Sequence, residues 1–129
     1  MEIQNVQLSE NMVHLIGELF AEYEDGSNRK WIRSYNRVWM NGKELDPGQG
    51  QELRNHSPDG FNWGYGGSGP AQLALSICLE LYGKVIALMV YQDFKWKVVA
   101  KIPQGDKFEY LFDRRAFERE FVDPIVAKN

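Results

Sequence analysis

The run from Ala71 to Tyr82 constrains the fold more than any other part of the chain. Its only polar side chains are Gln72, Ser76 and Glu80, spaced four apart, so they share one narrow stripe of a helix and every other direction is apolar. A helix apolar almost all round has to be enclosed by protein. Gly69-Pro70 opens it, with Ser68 or Gly69 as N-cap and Pro70 at the first helical position, and Gly83 ends it. The rest of the chain must supply layers that cover this helix. A length of 129 residues is enough to do so as one domain, without disulfide or metal staples.

The covering elements are legible to different degrees. Val13, Ile16, Leu19/Phe20 and Tyr23 recur at helical spacing behind Ser9 as a cap, which predicts a helix over about 10–24 after a short strand or arm at 1–8. Asp25 to Asn28 reads as a turn. Asn41-Gly42 is a two-residue hairpin signal, because both positions of a type I′ turn need positive φ. It predicts strands at about 31–40 and 43–46. Residues 47–69 read as a long, ordered loop holding Phe61, Trp63 and Tyr65. After Gly83 the pattern favours helix to at least Lys95, while 96–102 fits helix or strand. Phe108 to Phe112 reads as a strand, and Asp113 caps a last helix that Pro124 stops. The expected fold is α+β: a small antiparallel sheet from the 31–46 hairpin and the 108–112 strand, packed on three or four helices.

Charge and cysteine usage narrow the function. The net charge is −3 with a pI near 5.4, which argues against a dedicated nucleic-acid binder. The single cysteine, Cys78, cannot form an intramolecular disulfide and fits a reducing compartment. The N-terminus lacks the basic start and continuous apolar run of a signal peptide, and no stretch reads as a membrane span, so a cytoplasmic protein is expected.

Three constellations could carry chemistry. Gly64-Tyr65-Gly66-Gly67-Ser68-Gly69 matches G-x-G-x-x-G before a helix, but a turn leads into it where a dinucleotide site needs a strand, and no acid follows at 84–90. It also lacks the Lys-Ser/Thr of a phosphate loop. What remains is a choice between glycines that permit close backbone packing, with Ser68 as cap, and a helix start whose Ala71 and Gln72 amides take a small anion. His56, Ser57 and Asp59 combine a base, a hydroxyl and an acid, yet Ser57-Pro58-Asp59-Gly60 is a sound turn by itself and His56 reads better as a hydrogen-bonding loop residue. Trp31, Arg33, Tyr35, Arg37 and Trp39 share one strand face. They could form cation–π ladders or hold unstacked bases, or the aromatics could cover a helix while the arginines lie along the edge. His14 and His56 bring no acidic ligand set with them, so no metal and no cofactor is expected.

The segment His56-Ser57-Pro58-Asp59-Gly60-Phe61, then Trp63-Gly64-Tyr65, then Gly67 to Leu75 resembles a family of small domains of unknown function, with members that look like proteins of bacteria, archaea, plasmids and phages. The resemblance runs from about Arg29 to Phe121 and includes the Asn-Gly turn followed by Leu45, the Tyr91-Gln92-x-Phe94 step and Val99-Ala100-x-Ile102-Pro103. The first 28 residues read as an addition to that core, and Phe108 stands where the family pattern leads one to expect a Trp. The family brings no activity and no catalytic residues. The expected function is a non-enzymatic interaction module, accessory to a mobile element, that meets another protein through His56, Ser57, Asp59, Trp63, Tyr65, Ser68, Gln72 and the Trp31–Trp39 face. A small anionic ligand or nucleotide at the Pro70 helix start is the first alternative, and single-stranded nucleic acid on the strand face the second.

Overall fold

The computed structural model describes residues 10–24 and 30–128. The expected arm at 1–8, the Ser9 cap and the turn at 25–28 lie outside the described residues. The elements are β1 (Met12–Tyr23), β2 (Trp31–Met40), β3 (Lys43–Glu44), α1 (Pro47–Leu53), α2 (Ser68–Lys97), a 3-10 turn (Val99–Lys101), β4 (Lys107–Asp113), α3 (Arg114–Phe117), a π-helical turn (Glu118–Val122) and α4 (Asp123–Ala127). The four strands form one antiparallel sheet in the order β3-β2-β1-β4, with helices on one face. The fold class is the expected α+β, built around the long helix.

One element is corrected outright: residues 12–23 are a strand, not a helix. The same residues satisfy a period of two. Val13, Leu15 and Gly17 are buried on the helix side, while His14, Ile16 and Glu18 point the other way. Pairing decides between the two periods. β1 lies opposite β2 from Leu15↔Met40 to Glu22↔Arg33 and opposite β4 from Met12↔Asp113 to Glu18↔Lys107. Both sides of its backbone are therefore satisfied, and local helix spacing is overridden by tertiary structure. The hairpin turn is as the sequence indicates, with Asn41 at φ 50° and Gly42 at φ 84°. The strand after it is shorter than expected, ending at Glu44, because Asp46 turns the chain into α1 by accepting the Gly48 N–H at 2.9 Å with Pro47 in the first turn. The presumed loop 47–69 thus contains a short helix.

The first half of α2 is the centre of the core. Leu73, Ala74, Leu75, Ile77 and Cys78 are wholly inaccessible. Gly83, at φ 77° and ψ 173°, breaks the helix, and a second helical half continues to Lys97, burying Ala87, Val90 and Phe94. The ambiguous stretch 96–102 contains no strand: the helix gives way to the 3-10 turn. By length and composition α2 and the turn after it, Ser68–Lys101, could cross a membrane (mean hydropathy 1.9), where the sequence reading had found no such stretch. Here its buried half is the core of the domain.

Two helix ends differ from expectation. The N-cap of α2 is Gly67, which has no side chain to cap with, and Ser68 lies inside the first turn. Pro124 does not stop the last helix but sits in the first turn of α4, where its missing N–H costs nothing. Asp113 does cap α3, accepting the Arg115 N–H at 2.9 Å, and Phe117 stacks on Phe121 at 4.9 Å. Glu118 is buried beside Arg115, at 2.8 Å, and Arg115 also holds Asp123 at 2.9 Å.

Gly17 tests the placement of β1. A β-carbon there would overlap the Phe108 ring on β4. Gly17→Ala should lower unfolding stability by about 1–3 kcal/mol in urea titrations, as overpacking does. A helix at 12–23 would instead gain from the same change.

Candidate functional site

The loop between α1 and α2 is fastened by two glutamines. Gln72, fully buried in the first turns of α2, accepts the N–H groups of His56 and Ser57 on its Oε1 at 2.9 and 3.1 Å. From the other side Gln51 of α1 donates to the carbonyl of Ser57 at 2.9 Å. Gly50 lets α1 approach, since a β-carbon there would press on the Gln72 amide and Leu75. Between these anchors Ser57-Pro58-Asp59-Gly60 forms the expected turn, with the Gly60 N–H donating to the Ser57 carbonyl at 3.1 Å and Gly60 at φ 102°. Asn36 of β2 then donates to the Phe61 carbonyl at 2.9 Å, which ties the loop to the sheet.

This geometry separates the three residues that together suggested catalysis. His56 Nε2 lies 2.7 Å from the Tyr91 hydroxyl in the second half of α2. Asp59 is exposed on the far side of the turn, and among the described residues no hydrogen bond joins Ser57 to either His56 or Asp59. Trp63, at 2 % exposure, meets Phe108 edge-on at 4.7 Å and belongs to the core. Cys78 is buried, and burial pushes its thiol pKa up, which keeps it unreactive. Among the described residues no three His, Cys, Asp or Glu side chains gather as a metal site would need.

The glycines serve close packing. A β-carbon at Gly66 would overlap the Trp96 ring, one at Gly67 the Tyr65 ring, and one at Gly69 the Asn62 side chain. Gly64, at φ 83°, donates to the Val99 carbonyl at 3.1 Å and accepts from Gln104 at 3.0 Å. At Gly66, Gly67 and Gly69 the absent β-carbon is what lets the protein's own side chains pack against the backbone.

What is open is a cleft of about 510 Å³ between this loop, Leu19 of β1, residues 34–36 of β2 and the 105–106 turn. Ser57, Asp59, Asn62, Tyr65, Ser68 and Gly69 line it from the loop, Ser34, Tyr35 and Asn36 from β2, and Asp106 from the opposite wall. Of the residues singled out in the sequence, Ser57, Asp59, Tyr65 and Ser68 converge here, while the Tyr35 ring stands on the opposite sheet face. His56, Trp63 and Gln72 support the wall from behind. Asn36, Gln51, Tyr91 and Asp106 take part without any local signal, because each acts across a long sequence separation.

The Trp31, Arg33, Tyr35, Arg37 and Trp39 side chains stand on the sheet face away from the helices, since the alternate residues Val38 and Met40 are in the core. The aromatics do not cover a helix. Phe20 of β1 stacks on Tyr35 at 6.0 Å, and the Arg37 guanidinium lies 5.0 Å from the centres of both Phe20 and Trp39. Arg33 lies 4.9 Å from Tyr35 and pairs with Glu22 at 2.6 Å. Arg37 donates to both carboxylate oxygens of Glu44, at 2.7 and 2.5 Å. Glu18, Glu22, Glu44 and Glu109 outnumber Arg33, Arg37 and Lys107 on this face, so it presents no cationic track to a phosphate backbone.

The described residues form a one-sided antiparallel sheet closed by a helical layer, with an open cleft beside the 56–69 loop. Residues 28–126 match the family of unknown function DUF6166, and the chain belongs to that family. The matched residues begin after β1, so the strand that joins β2 to β4 here precedes them. No curated protein and no solved structure matches the chain significantly.

Two measurements follow from these contacts. Gln72→Leu leaves the part-buried His56 and Ser57 amides without their acceptor and should destabilise the fold by about 1–3 kcal/mol in all, read from denaturant midpoints. The hydrogen bonds from Arg37 hold the Glu44 carboxyl below the usual glutamate range. The pairing is therefore present above the ordinary glutamate pKa and lost as pH falls through the lowered folded value. A side-chain NMR titration should place the Glu44 midpoint below the other exposed glutamates, and Arg37→Ala should return it to their range with little change in stability, as for other exposed pairs.

Proposed function

We propose that this domain is a non-enzymatic interaction module whose cleft takes a basic segment of another protein. The observation that carries the reading is the chemistry of the cleft wall. Asp59 and Asp106 face the space with Tyr65, and among the described residues no lysine or arginine lines it. Carboxylates beside aromatic faces suit a lysine or arginine side chain, through ion pairing and cation–π contact. The absence of an activated nucleophile among the described residues supports a binding role over a catalytic one. An accessory role in the cytoplasm, in conflict between a mobile element and its host or in the element's maintenance, is the setting we attach to it by analogy with the family resemblance.

An anionic ligand at the start of α2 is the second reading, favoured by the first-turn residues Ser68 and Gly69 lining the same cleft. The two aspartates oppose it electrostatically. Single-stranded nucleic acid on the Trp31–Trp39 face is weakened by the carboxylates that hold Arg33 and Arg37.

A peptide array presenting basic, neutral and acidic segments tests the reading. Binding is expected for lysine- and arginine-rich peptides, weakening with added salt and by about tenfold or more in the Asp59→Asn/Asp106→Asn double variant. Tyr65→Ala should weaken it as well, while Trp63→Ala would only unsettle the core. Binding of nucleotides or acidic peptides in a thermal-shift screen, with none of the basic ones, would overturn it.

A further inference from the structure

The two outer edges of the sheet are finished differently. The edge of β2 is covered: β3 pairs with its end, Leu45 donates to the Val38 carbonyl at 2.8 Å, and the 56–62 loop is tied across it at Asn36. The edge of β4 carries charged side chains at Lys107, Glu109 and Asp113, but nothing covers or interrupts its backbone among the described residues. Its pairing with β1 runs without a bulge from Lys107 to Asp113, and the strand contains no proline.

The hydrogen-bond pattern shows which groups face outward. Leu19 donates to the Asp106 carbonyl and Arg114 to the Asn11 carbonyl, so the even-numbered residues of β4 bond to β1. The backbone N–H and C=O groups of Lys107, Glu109 and Leu111 therefore point away from the sheet. Among the described residues nothing bonds to them. Beneath this edge lies an apolar groove of about 240 Å³, lined mainly by Val98, Tyr110, Phe112, Phe117 and Phe121.

We propose that a second copy of this chain occupies the β4 edge, pairing β4 antiparallel with its own twin to give a continuous eight-stranded sheet. The sequence of the strand selects its own register. Outward-facing residues can pair only with outward-facing residues. With Lys107 opposite Asp113 of the other copy, Glu109 falls opposite Leu111, and both ends of the strand carry opposite charges in contact. A slip of two residues one way sets Glu109 against Glu109, and a slip the other way sets Glu109 against Asp113. Both place like charges together. In the favoured register Tyr110 meets Tyr110 on the inner face and Phe112 meets Phe108, so the aromatic walls of the two grooves join. The contact is isologous and closes at two chains.

Sedimentation velocity of the full chain over a range of concentrations tests this. The expected result is a reversible monomer–dimer equilibrium. Lys107→Glu should weaken it by about tenfold at low salt, since it turns two attractive pairs repulsive. Asp113→Lys should do the same, and an equimolar mixture of the two variants should associate as the original chain does, because only the mixed dimer restores both pairs. Leu111→Pro removes a donor that makes no bond within one chain. It should abolish association while leaving the circular dichroism spectrum unchanged. If that variant misfolds, the exposed Lys107→Glu substitution decides. A chain that stays monomeric at high concentration overturns the proposal, as does a dimer that none of the substitutions weakens. So does protection of the Glu109 and Leu111 amides from hydrogen exchange in a monomer.

Discussion

Backbone pairing on both sides of β1 holds the domain together. Without that strand the 31–44 hairpin and β4 share no hydrogen bonds, and the sheet becomes two unconnected pieces lying on one helix. With it, Val13 and Leu15 join Val38 and Met40 on one continuous apolar surface. Gly17 permits the close approach of Phe108, which in turn meets Trp63. One strand thus sets both the width of the sheet and the contact between the sheet and the glycine-rich loop.

The second organising element is the buried amide of Gln72. A polar side chain in the middle of an otherwise apolar helix would be costly without partners. Its Oε1 is matched to two backbone N–H groups that the sharp His56-Ser57 corner would otherwise leave unsatisfied, while its Nε2 has no partner among the described residues. Helix and loop therefore require each other, and the loop's outer residues, Asp59 and Tyr65, are presented on a rigid support. The break at Gly83 extends this coupling, since it lets the second half of α2 bring Tyr91 to His56.

The elements read correctly from the sequence were those with a single dominant signal. Asn41-Gly42 permits little besides a tight hairpin, Ala71–Tyr82 has no exposed face to offer, and Asp113 has both the side chain and the position of a cap. Residues 12–23 were misread because Val13, Ile16 and Phe20 satisfy a helical period while Val13, Leu15 and Gly17 satisfy a strand period. Only the partners β2 and β4, remote in sequence, decide between them. The same limit applies to the cleft. Its loop side was visible in the His56–Gln72 motif. The contribution of Asn36 and Asp106 depends on how the sheet places them, and no local pattern signals it. The Trp31–Trp39 alternation was visible, but its direction was not, because which face of a strand turns inward is fixed by what covers the other face.

The interior position of β1 also sets the order in which the protein can be completed. His14 Nε2 and Glu109 Oε2, 2.5 Å apart across the sheet, are separated by 95 residues. Strand β1 therefore has no partner on its β4 side until some 95 further residues have been synthesised. Loop-closure entropy on this scale slows the final step, and meanwhile one edge of an extended, largely apolar strand stays unpaired. For this fold the vulnerable interval is co-translational, and slow assembly follows from topology even though the finished domain is small.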